Sequence, residues 1–358
     1  SIGLPAAAGA PTAPPVMVVS AGAADRLLGA SMAGLASGAA GRRVAVRVRV
    51  AETPAPARNV VAILPGSDAA LRGTYVALGA HNDHIGSSRA PVDHDSLKAI
   101  NAARRRIYVA LDDDGDDVLT AEQQQRYAAQ IAGLTVNVDS LRRLRPARPD
   151  SIANGADDDG SGSMALLEIA EQLATQSTRP RRSILFVWHT GEEKGLLGAR
   201  WYAGHPTVAR DSIVAQLNID MIGRGGPAEE RHGGPDYVGL IGAGRLSTEL
   251  DSTAQRVNRA QPRPLAFDRS LDRDGHPENI YCRSDHYEYA KFGIPIAFFF
   301  TGLHGDYHQV TDEPQYIDYP HYTRITRYVR DLAVAVADQP ARPVVDRPKP
   351  DPNGVCRQ

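Results

Sequence analysis

Three consecutive aspartates lie in a glycine-rich turn at residues 154–162, which read NGADDDGSG. Adjacent carboxylates raise one another's pKa unless a positive charge offsets their repulsion, and a bound divalent cation often supplies that charge. Leu166, Ile169, Ala170 and Leu173 follow at helical spacing. The turn therefore opens a buried helix and is a candidate cation site, although a solvated turn that only caps a helix has the same composition.

Four further loops carry His, Asp or Glu directly after an apolar, strand-like run. They are His81 and Asp83 after 74–79, Glu192 and Glu193 after 183–188, Asp220 after 214–219, and His308 after 294–300. Strands that alternate with helices form mostly parallel sheets, and ligands bind beyond the carboxyl ends of those strands. A lone histidine or a Glu-Glu-Gly turn is usually structural, but five such loops at one sheet edge predict a single site.

The residue types suit a pair of zinc ions. Two neighbouring zinc ions need a bridging carboxylate, with histidine and carboxylate ligands on each side and a position left open for water. We assign Asp158 as the bridge, His81 and Asp220 to the first ion, and Glu193 and His308 to the second.

Two acidic residues beside these ligands are assigned to catalysis. Asp83 can accept the second imidazole N–H of His81 and so fix the tautomer of that ring. Glu192 precedes the ligand Glu193 in the sequence, but neither zinc ion requires Glu192 as a ligand. It is therefore placed to take a proton from an attacking water molecule and to pass it to a leaving amine.

Six motifs together resemble the di-zinc aminopeptidases, a family that includes the secreted bacterial leucyl aminopeptidases and, more distantly, glutamate carboxypeptidase and glutaminyl cyclase. In the family's order, between about residues 59 and 338, they are GAHNDHIG, NGADDDGSG, GEEKGLLGA, LNIDMIGR, RSDHYEYAKFGIP and DYHQVTDEP. The resemblance implies the same five metal ligands, with Glu192 as the general base. It also implies an α/β fold of three layers, α/β/α, with a central mixed, mostly parallel sheet, as in the zinc exopeptidases.

The resemblance extends to residues that contact substrate. It implies that Tyr307 donates a hydrogen bond to the oxyanion, whereas a tyrosine that only packs at the rim is the alternative. It also implies that Arg283 and Asp285 lie near the amino end of the substrate, although a structural salt bridge explains these two residues equally well.

The implied activity is that of a zinc-dependent aminopeptidase, which removes amino-terminal residues from peptides by means of metal-activated water. A metallo-carboxypeptidase of the same fold stays open as an alternative. It needs a cationic pocket for the substrate's carboxylate, for which Arg224, Arg273 and Arg283 are candidates. A glutaminyl cyclase needs only one zinc ion, and a non-catalytic, receptor-like relative has lost its metals. The full ligand set argues against both.

The composition limits the other classes of function. The chain has 358 residues, of which 42% are hydrophobic and 23% charged, with a net charge of -2, as in a globular protein of one large domain plus additions. The sequence lacks the excess of Lys and Arg that is typical of nucleic-acid-binding proteins, and no apolar run approaches the ~18 residues of a membrane span.

No signal-peptide pattern is present, and the resemblance favours a secreted or periplasmic protein already trimmed of its signal. Cys282 and Cys356 could form a disulfide or remain thiols.

We divide the chain into three parts. Residues 1–40 resemble the closing part of a protease-associated domain, residues 41–338 form the peptidase domain, and the Pro-rich residues 339–358 form an extended tail. Alternating valine and arginine at 43–50 predict a half-exposed strand.

Residues 87–150 form an insertion within the predicted peptidase domain. We predict two helices, at 96–111 and 121–134, on either side of an acidic tip. Because the insertion leaves directly from the loop that bears His81, we expect it to cover part of the substrate cleft.

The acidic tip resembles an EF-hand loop. Calcium ligands at its first, third and fifth positions are Asp112, Asp114 and Asp116. Asp117 and Gln123 stand where such a loop requires Gly and Glu, so the alternative is a capping box between Thr120 and Gln123 with solvated aspartates.

Overall fold

The computed structural model describes residues 19–43, 45, 51 and 53–358, and the chain divides into two compact units, Ser1–Pro56 and Ala57–Gln358. The first unit contains helix α1, Ala21–Leu28, and a short 3-10 helix, Met32–Gly34. Ser20 caps α1 through its side chain, and Gly29 ends it in the left-handed conformation. Most of the strand predicted at 43–50 lies outside the described residues.

The second unit contains all of the strands described here and eight helices. The strands are β1 Val60–Leu64, β2 Tyr75–His81, β3 Ser87–Asp93, β4 Pro149–Ile152, β5 Ser183–His189, β6 Ile213–Ile219, β7 Tyr237–Ile241, β8 Ala266–Asp268 and β9 Ile296–Phe300. The helices are α2 His94–Leu111, α3 Ala121–Ala132, α4 Asp139–Leu144, α5 Gly160–Thr175, α6 Leu197–Gly204, α7 Thr248–Arg259, α8 His286–Ala290 and α9 Tyr319–Asp338. Among the described helices, none has the length and apolar composition needed to cross a membrane.

Seven strands form one mixed sheet in the order β1-β5-β2-β6-β9-β7-β8. The neighbours β5, β2, β6 and β9 are parallel to one another, as are β7 and β8. Strand β1 runs antiparallel to β5, and β7 runs antiparallel to β9. The predicted mixed, mostly parallel sheet is confirmed.

Helices cover both faces of this sheet, because its central strands are apolar on both sides. In β9, Ala297 and Phe299 belong to the core that holds α5, α7 and α9. The alternate residues Ile296, Phe298 and Phe300 belong to the second core, with residues from α6 and α8. The predicted three-layer α/β/α arrangement follows from this alternation.

The insertion folds as a two-stranded antiparallel sheet of β3 and β4, with α2, α3 and α4 between these strands in sequence. The observed α2 and α3 begin and end within two residues of the predicted helices. Thr120 and Gln123 form the capping box at the start of α3, as the alternative interpretation of the acidic tip anticipated.

The tail after α9 is extended but attached to the second unit. Cys356 forms a disulfide with Cys282, which lies in the 3-10 helix Ile280–Cys282. Gln358 accepts a hydrogen bond from the Tyr281 N–H at 2.9 Å and donates one to the carbonyl of Arg273 at 3.0 Å. The end of the chain therefore packs against the segment that carries Arg283.

Candidate active site

Four neighbouring parallel strands end at the same edge of the sheet and carry the predicted site. His81 is the last residue of β2, and Asp220 directly follows β6. Strand β5 leads through a left-handed turn at Gly191 into the 3-10 helix Glu192–Lys194, and β9 leads into the loop that holds His308. The loops therefore converge because the strands are parallel.

The five predicted ligands form two clusters that share Asp158. In the first cluster, His81 Nε2 lies 3.1 Å from Asp158 Oδ1 and 3.7 Å from Asp220 Oδ1. In the second cluster, His308 Nε2 lies 3.1 Å from Asp158 Oδ2 and 2.9 Å from Glu193 Oε2. Asp158 presents one oxygen to each cluster, which is the geometry expected of a bridging carboxylate.

His84 joins the second cluster and was not among the predicted site residues. Its Nδ1 lies 2.8 Å from Glu193 Oε1 and 3.8 Å from Asp158 Oδ2. The available signal was its position in GAHNDHIG, three residues after His81 in the same loop.

The other two aspartates of the turn hold backbone segments in place. Asp159 accepts hydrogen bonds from the N–H groups of His81, Gly162 and Met221, and so joins the ends of β2 and β6 to the start of α5. Asp157 Oδ1 accepts from the Gly223 N–H at 2.6 Å. Only the middle aspartate of the three faces both clusters.

Asp83 does not hold His81 in the predicted way. The ring Nδ1 of His81 lies 3.0 Å from the main-chain carbonyl oxygen of Asp83 and 3.8 Å from its carboxylate. A carbonyl can only accept, so Nδ1 carries the proton and Nε2 is left free to bind a cation. The Asp83 carboxylate instead accepts a hydrogen bond from the Glu192 N–H at 3.0 Å, which makes it a support for Glu192.

Glu192 lines the cavity beside the first cluster. Burial, reinforced by the charges of Asp285 and Asp220, raises the pKa of Glu192 well above its ordinary value. A carboxylate with a raised pKa holds an acquired proton more readily, which suits a group that takes a proton from water and passes it on.

The pKa shifts within the two clusters indicate that a divalent cation would be stabilised there. Burial lowers the pKa of His308, but Asp158 and Glu193 outweigh that effect and raise the pKa to about 9. Burial alone would raise the pKa of Asp158, yet contacts with His308 and His81 hold it below its ordinary value. In a cation's absence the acidic groups thus draw protons onto the imidazoles, and a bound cation would take the place of those protons.

Orphaned polar atoms support the same fit. Several buried atoms of the clusters make no well-oriented hydrogen bond among the described residues, although oppositely charged groups lie close to them. They are His81 Nε2, Asp158 Oδ2, Glu193 Oε1, Asp220 Oδ1, His308 Nε2 and both ring nitrogens of His84. These nitrogen and oxygen donors are the ones that zinc prefers.

A polar chain supports Asp220 from the core and was also missed from the sequence. Asp220 Oδ2 accepts a hydrogen bond from the Ser284 hydroxyl at 2.8 Å, and Ser284 Oγ accepts one from Asn218 Nδ2 at 2.9 Å. These partners leave Asp220 Oδ1 directed at His81.

A cavity opens beside the first cluster. Its polar lining includes Asp158, Glu192, Asp220 and Tyr307. Its apolar wall consists of Met221, Ile280, Phe298, Phe300 and Leu303. No residue of the 87–150 insertion lines this cavity, and the covering of the wider cleft by the insertion stays a prediction.

The two predicted substrate contacts have different positions. Arg283 lines the cavity and forms an ion pair with Glu278 at 2.7 Å. Asp285 is fully buried, and its Oδ2 lies 3.3 Å from His189 Nδ1. Asp285 precedes α8, which packs into the core, so its position matches the structural ion pair that was the alternative for this residue.

The acidic tip of the insertion is partly neutralised within the chain. Asp112, Asp114 and Asp116 each offer an oxygen to a common point. However, Asp116 pairs with Arg273 at 2.6 Å, and Gln123 is occupied by the capping box. Gln123 stands at the last ligand position of an EF-hand loop, and its side chain is engaged in the capping box instead of facing the three aspartates.

The sequence model of peptidase family M28 matches residues 59–333. Leupeptin-inactivating enzyme 1 of Streptomyces exfoliatus is 28% identical over 169 residues, which cover 46% of this chain and 33% of that protein. A probable leucine aminopeptidase of Arthroderma otae is 41% identical over 161 residues, 44% of this chain and 40% of that protein. The solved aminopeptidase from Aneurinibacillus sp. strain AM-1 aligns with a TM-score of 0.48 at 16% identity, covering 82% of this chain and 51% of that chain. The chain spans less than half the length of these two curated relatives.

Proposed function

Since the chain belongs to peptidase family M28, we propose that it is a zinc-dependent aminopeptidase that hydrolyses the first peptide bond of its substrates. The observation that supports this activity best is that Asp158 presents one oxygen to each of two histidine–carboxylate clusters, with Glu192 in the cavity beside them.

Two zinc ions would be held at the clusters. The first cluster, His81, Asp158 and Asp220, would hold one ion, and the second cluster, with Glu193 and His308, would hold the other. When bound, the pair supplies Lewis acidity, which activates water as a nucleophile and polarises the scissile carbonyl.

Glu192 moves the proton in this scheme. Its carboxylate takes a proton from the attacking water and passes it to the nitrogen of the leaving group. Asp83 keeps Glu192 in place through the main-chain hydrogen bond, and burial raises the pKa of Glu192, which helps it to hold the proton between the two transfers.

Tyr307 stabilises the developing oxyanion. It lines the same cavity and stacks on the His308 ring, with 3.9 Å between ring centroids. Burial raises the pKa of the Tyr307 hydroxyl above its ordinary value, so the phenol remains protonated and able to donate.

The apolar wall favours substrates whose first side chain is apolar. Phe298, Phe300 and Leu303 place carbon surface beside the polar lining of the cavity. Burying an apolar side chain of leucine size contributes about 1.5–3 kcal/mol, which would favour leucine over aspartate at the first position.

The carboxypeptidase alternative has less support. Arg224 pairs with Asp306, and Arg273 pairs with Asp116, so neither faces the cavity. Arg283 is the one candidate arginine among the described residues that does, and Glu278 neutralises it.

A paired assay distinguishes these activities. We expect zinc-loaded protein to release the anilide from leucine anilide, to lose this activity on chelation and to regain it with added zinc. An N-acylated dipeptide with a free carboxyl terminus is the matched substrate and should remain intact. Cleavage of that dipeptide alone would establish the carboxypeptidase, and cyclisation of amino-terminal glutamine without hydrolysis would establish a cyclase.

We also propose that the protein works in an oxidising compartment. Disulfides persist in secreted and periplasmic proteins and are rare in the cytosol. The Cys282–Cys356 bond supports the secreted or periplasmic location that the family resemblance implied. Fractionation of the source cells, with the disulfide state read by thiol labelling, tests this location.

A further inference from the structure

We propose that His84 is a fourth protein ligand of the second ion, so that the two sites differ in their number of protein donors. This inference rests on the proposed function, because it presupposes that the clusters bind zinc.

The distances around His84 match those of a shared ligand sphere. One nitrogen of His84, one of His308 and one oxygen each of Asp158 and Glu193 all lie within 4.8 Å of one another. Ligand atoms of a tetrahedral zinc ion are about 3.4 Å apart, given bonds of about 2.1 Å. The contacts within this group, from 2.8 to 3.8 Å, lie on either side of that value.

A hydrogen bond to Glu193 does not account for the position of His84. The distance of 2.8 Å from Nδ1 to Glu193 Oε1 is short enough for one. Nevertheless, both ring nitrogens are buried without a hydrogen-bond partner among the described residues, so the ring is not oriented as a donor to this oxygen. A cation shared with Glu193 would give Nδ1 a partner.

Packing fixes the ring in this position. His84 lies edge-on to His308, with 5.5 Å between ring centroids. Its other side rests on Gly155, where an added Cβ would come within 2.7 Å of His84 Cγ. Glycine at this point of the NGADDDGSG turn leaves room for the imidazole, and a side chain with so little freedom is prearranged for binding.

The ligand count then differs between the clusters. The second has four protein donors with His84, and the first has three. Catalytic zinc sites commonly have three protein ligands and a position left open. The cavity lies on the side of the first cluster, because it is lined by Asp158, Asp220 and Glu192 and not by His84, Glu193 or His308.

X-ray absorption spectroscopy on the unaltered protein loaded with two zinc ions counts the imidazoles. Three histidines shared by two ions give about 1.5 imidazoles per zinc, against about 1.0 if only His81 and His308 bind. Because this measurement uses the unaltered protein, the number of imidazoles per zinc ion does not depend on whether a variant folds. A value near 1.0 would overturn the proposal.

Zinc titration of variants against a competing chelator tests the same claim. For His84→Asn, which keeps an N–H donor near the Nδ1 position, we expect a loss of 10²-fold or more in second-site affinity, with first-site affinity within about threefold. The loop control Ile85→Ala should bind both ions normally. Unchanged second-site affinity in His84→Asn would reduce His84 to a hydrogen-bonding role and contradict the proposal. Failure of the unaltered protein to bind two zinc ions would instead contradict the proposed function.

Discussion

At the scale of single residues, adjacent side chains of the same type perform different tasks. Asp158 faces both clusters, whereas its neighbours Asp157 and Asp159 accept backbone N–H groups. Glu193 lies in the second cluster, whereas Glu192 faces the cavity. The backbone direction at each Cα decides these tasks, so a substitution at one residue of either set should affect only the task of that residue.

Glu192→Gln tests this separation. It removes the base but preserves the size of the side chain and the main-chain bond to Asp83. We expect kcat to fall by about 10²- to 10⁴-fold with zinc content unchanged. Steady-state kinetics with metal analysis of the same sample measures both. Loss of zinc from this variant would mean that Glu192, rather than Glu193, is the ligand.

Tyr307→Phe removes the proposed oxyanion donor and keeps the ring that stacks on His308. Losing one such donor costs about 10²- to 10³-fold in kcat, or about 3 to 4 kcal/mol. Loss of a packing contact would mainly raise KM. A variant with near-normal kcat and a full zinc complement would leave Tyr307 as a packing residue.

Residue types were enough to predict the convergence of the five ligands, because each lies in a loop that follows an apolar strand or leads into a helix. They were not enough to predict which partner a side chain selects. Asp83 supports Glu192, Asp285 is buried against His189, and His84 points into the second cluster. These outcomes depend on loop backbone angles, which sequence spacing does not determine.

At the scale of elements, the insertion contacts the loop that carries His308 at a buried carboxylate. Asp306, two residues before His308, is 2% exposed and forms an ion pair with Lys98 of α2. Thr311 and Arg224 also donate to it, at 2.7 and 3.2 Å. The first helix of the insertion therefore holds the loop that carries Tyr307 and His308.

Lys98→Met tests this connection. Without the lysine, the Asp306 loop should shift and weaken zinc binding at the second cluster by about 10- to 100-fold, as for other partners of metal ligands. Arg104→Met is the matched control, because it removes the same charge from an exposed position of the same helix. Zinc titration compares the two. Equal affinities in both variants would show that α2 only packs beside the loop.

The sequence predicted α2 and α3 but not the β3–β4 pair. Residues 87–93 read SSRAPVD, without an alternating apolar pattern, and nearly all of them are exposed. These strands pair with each other and not with the main sheet. Hydrophobic periodicity predicts only those elements that bury one face, so it did not predict β3 and β4.

At the scale of the whole molecule, one covalent link joins the tail to the cavity wall. The disulfide spans a sequence separation of 74 residues, and Cys282 lies next to Arg283. Cys356→Ser removes the link and leaves the wall residue in place. We expect the free energy of unfolding to fall by about 2–4 kcal/mol, since the unfolded chain regains freedom.

Urea denaturation with and without a reductant measures this effect. The reductant should lower the stability of the unaltered protein to that of the variant and leave the variant unchanged. Equal stability of the two proteins without reductant would contradict a stabilising disulfide.

The zinc content of the whole chain tests the paired metal centre most directly. After zinc-replete purification and dialysis, elemental analysis should give two zinc ions per chain, because the two clusters share Asp158 and together contain the five predicted ligands. Asp158→Asn should lower occupancy at both positions. A ratio near one zinc ion per chain in the unaltered protein would contradict the paired centre.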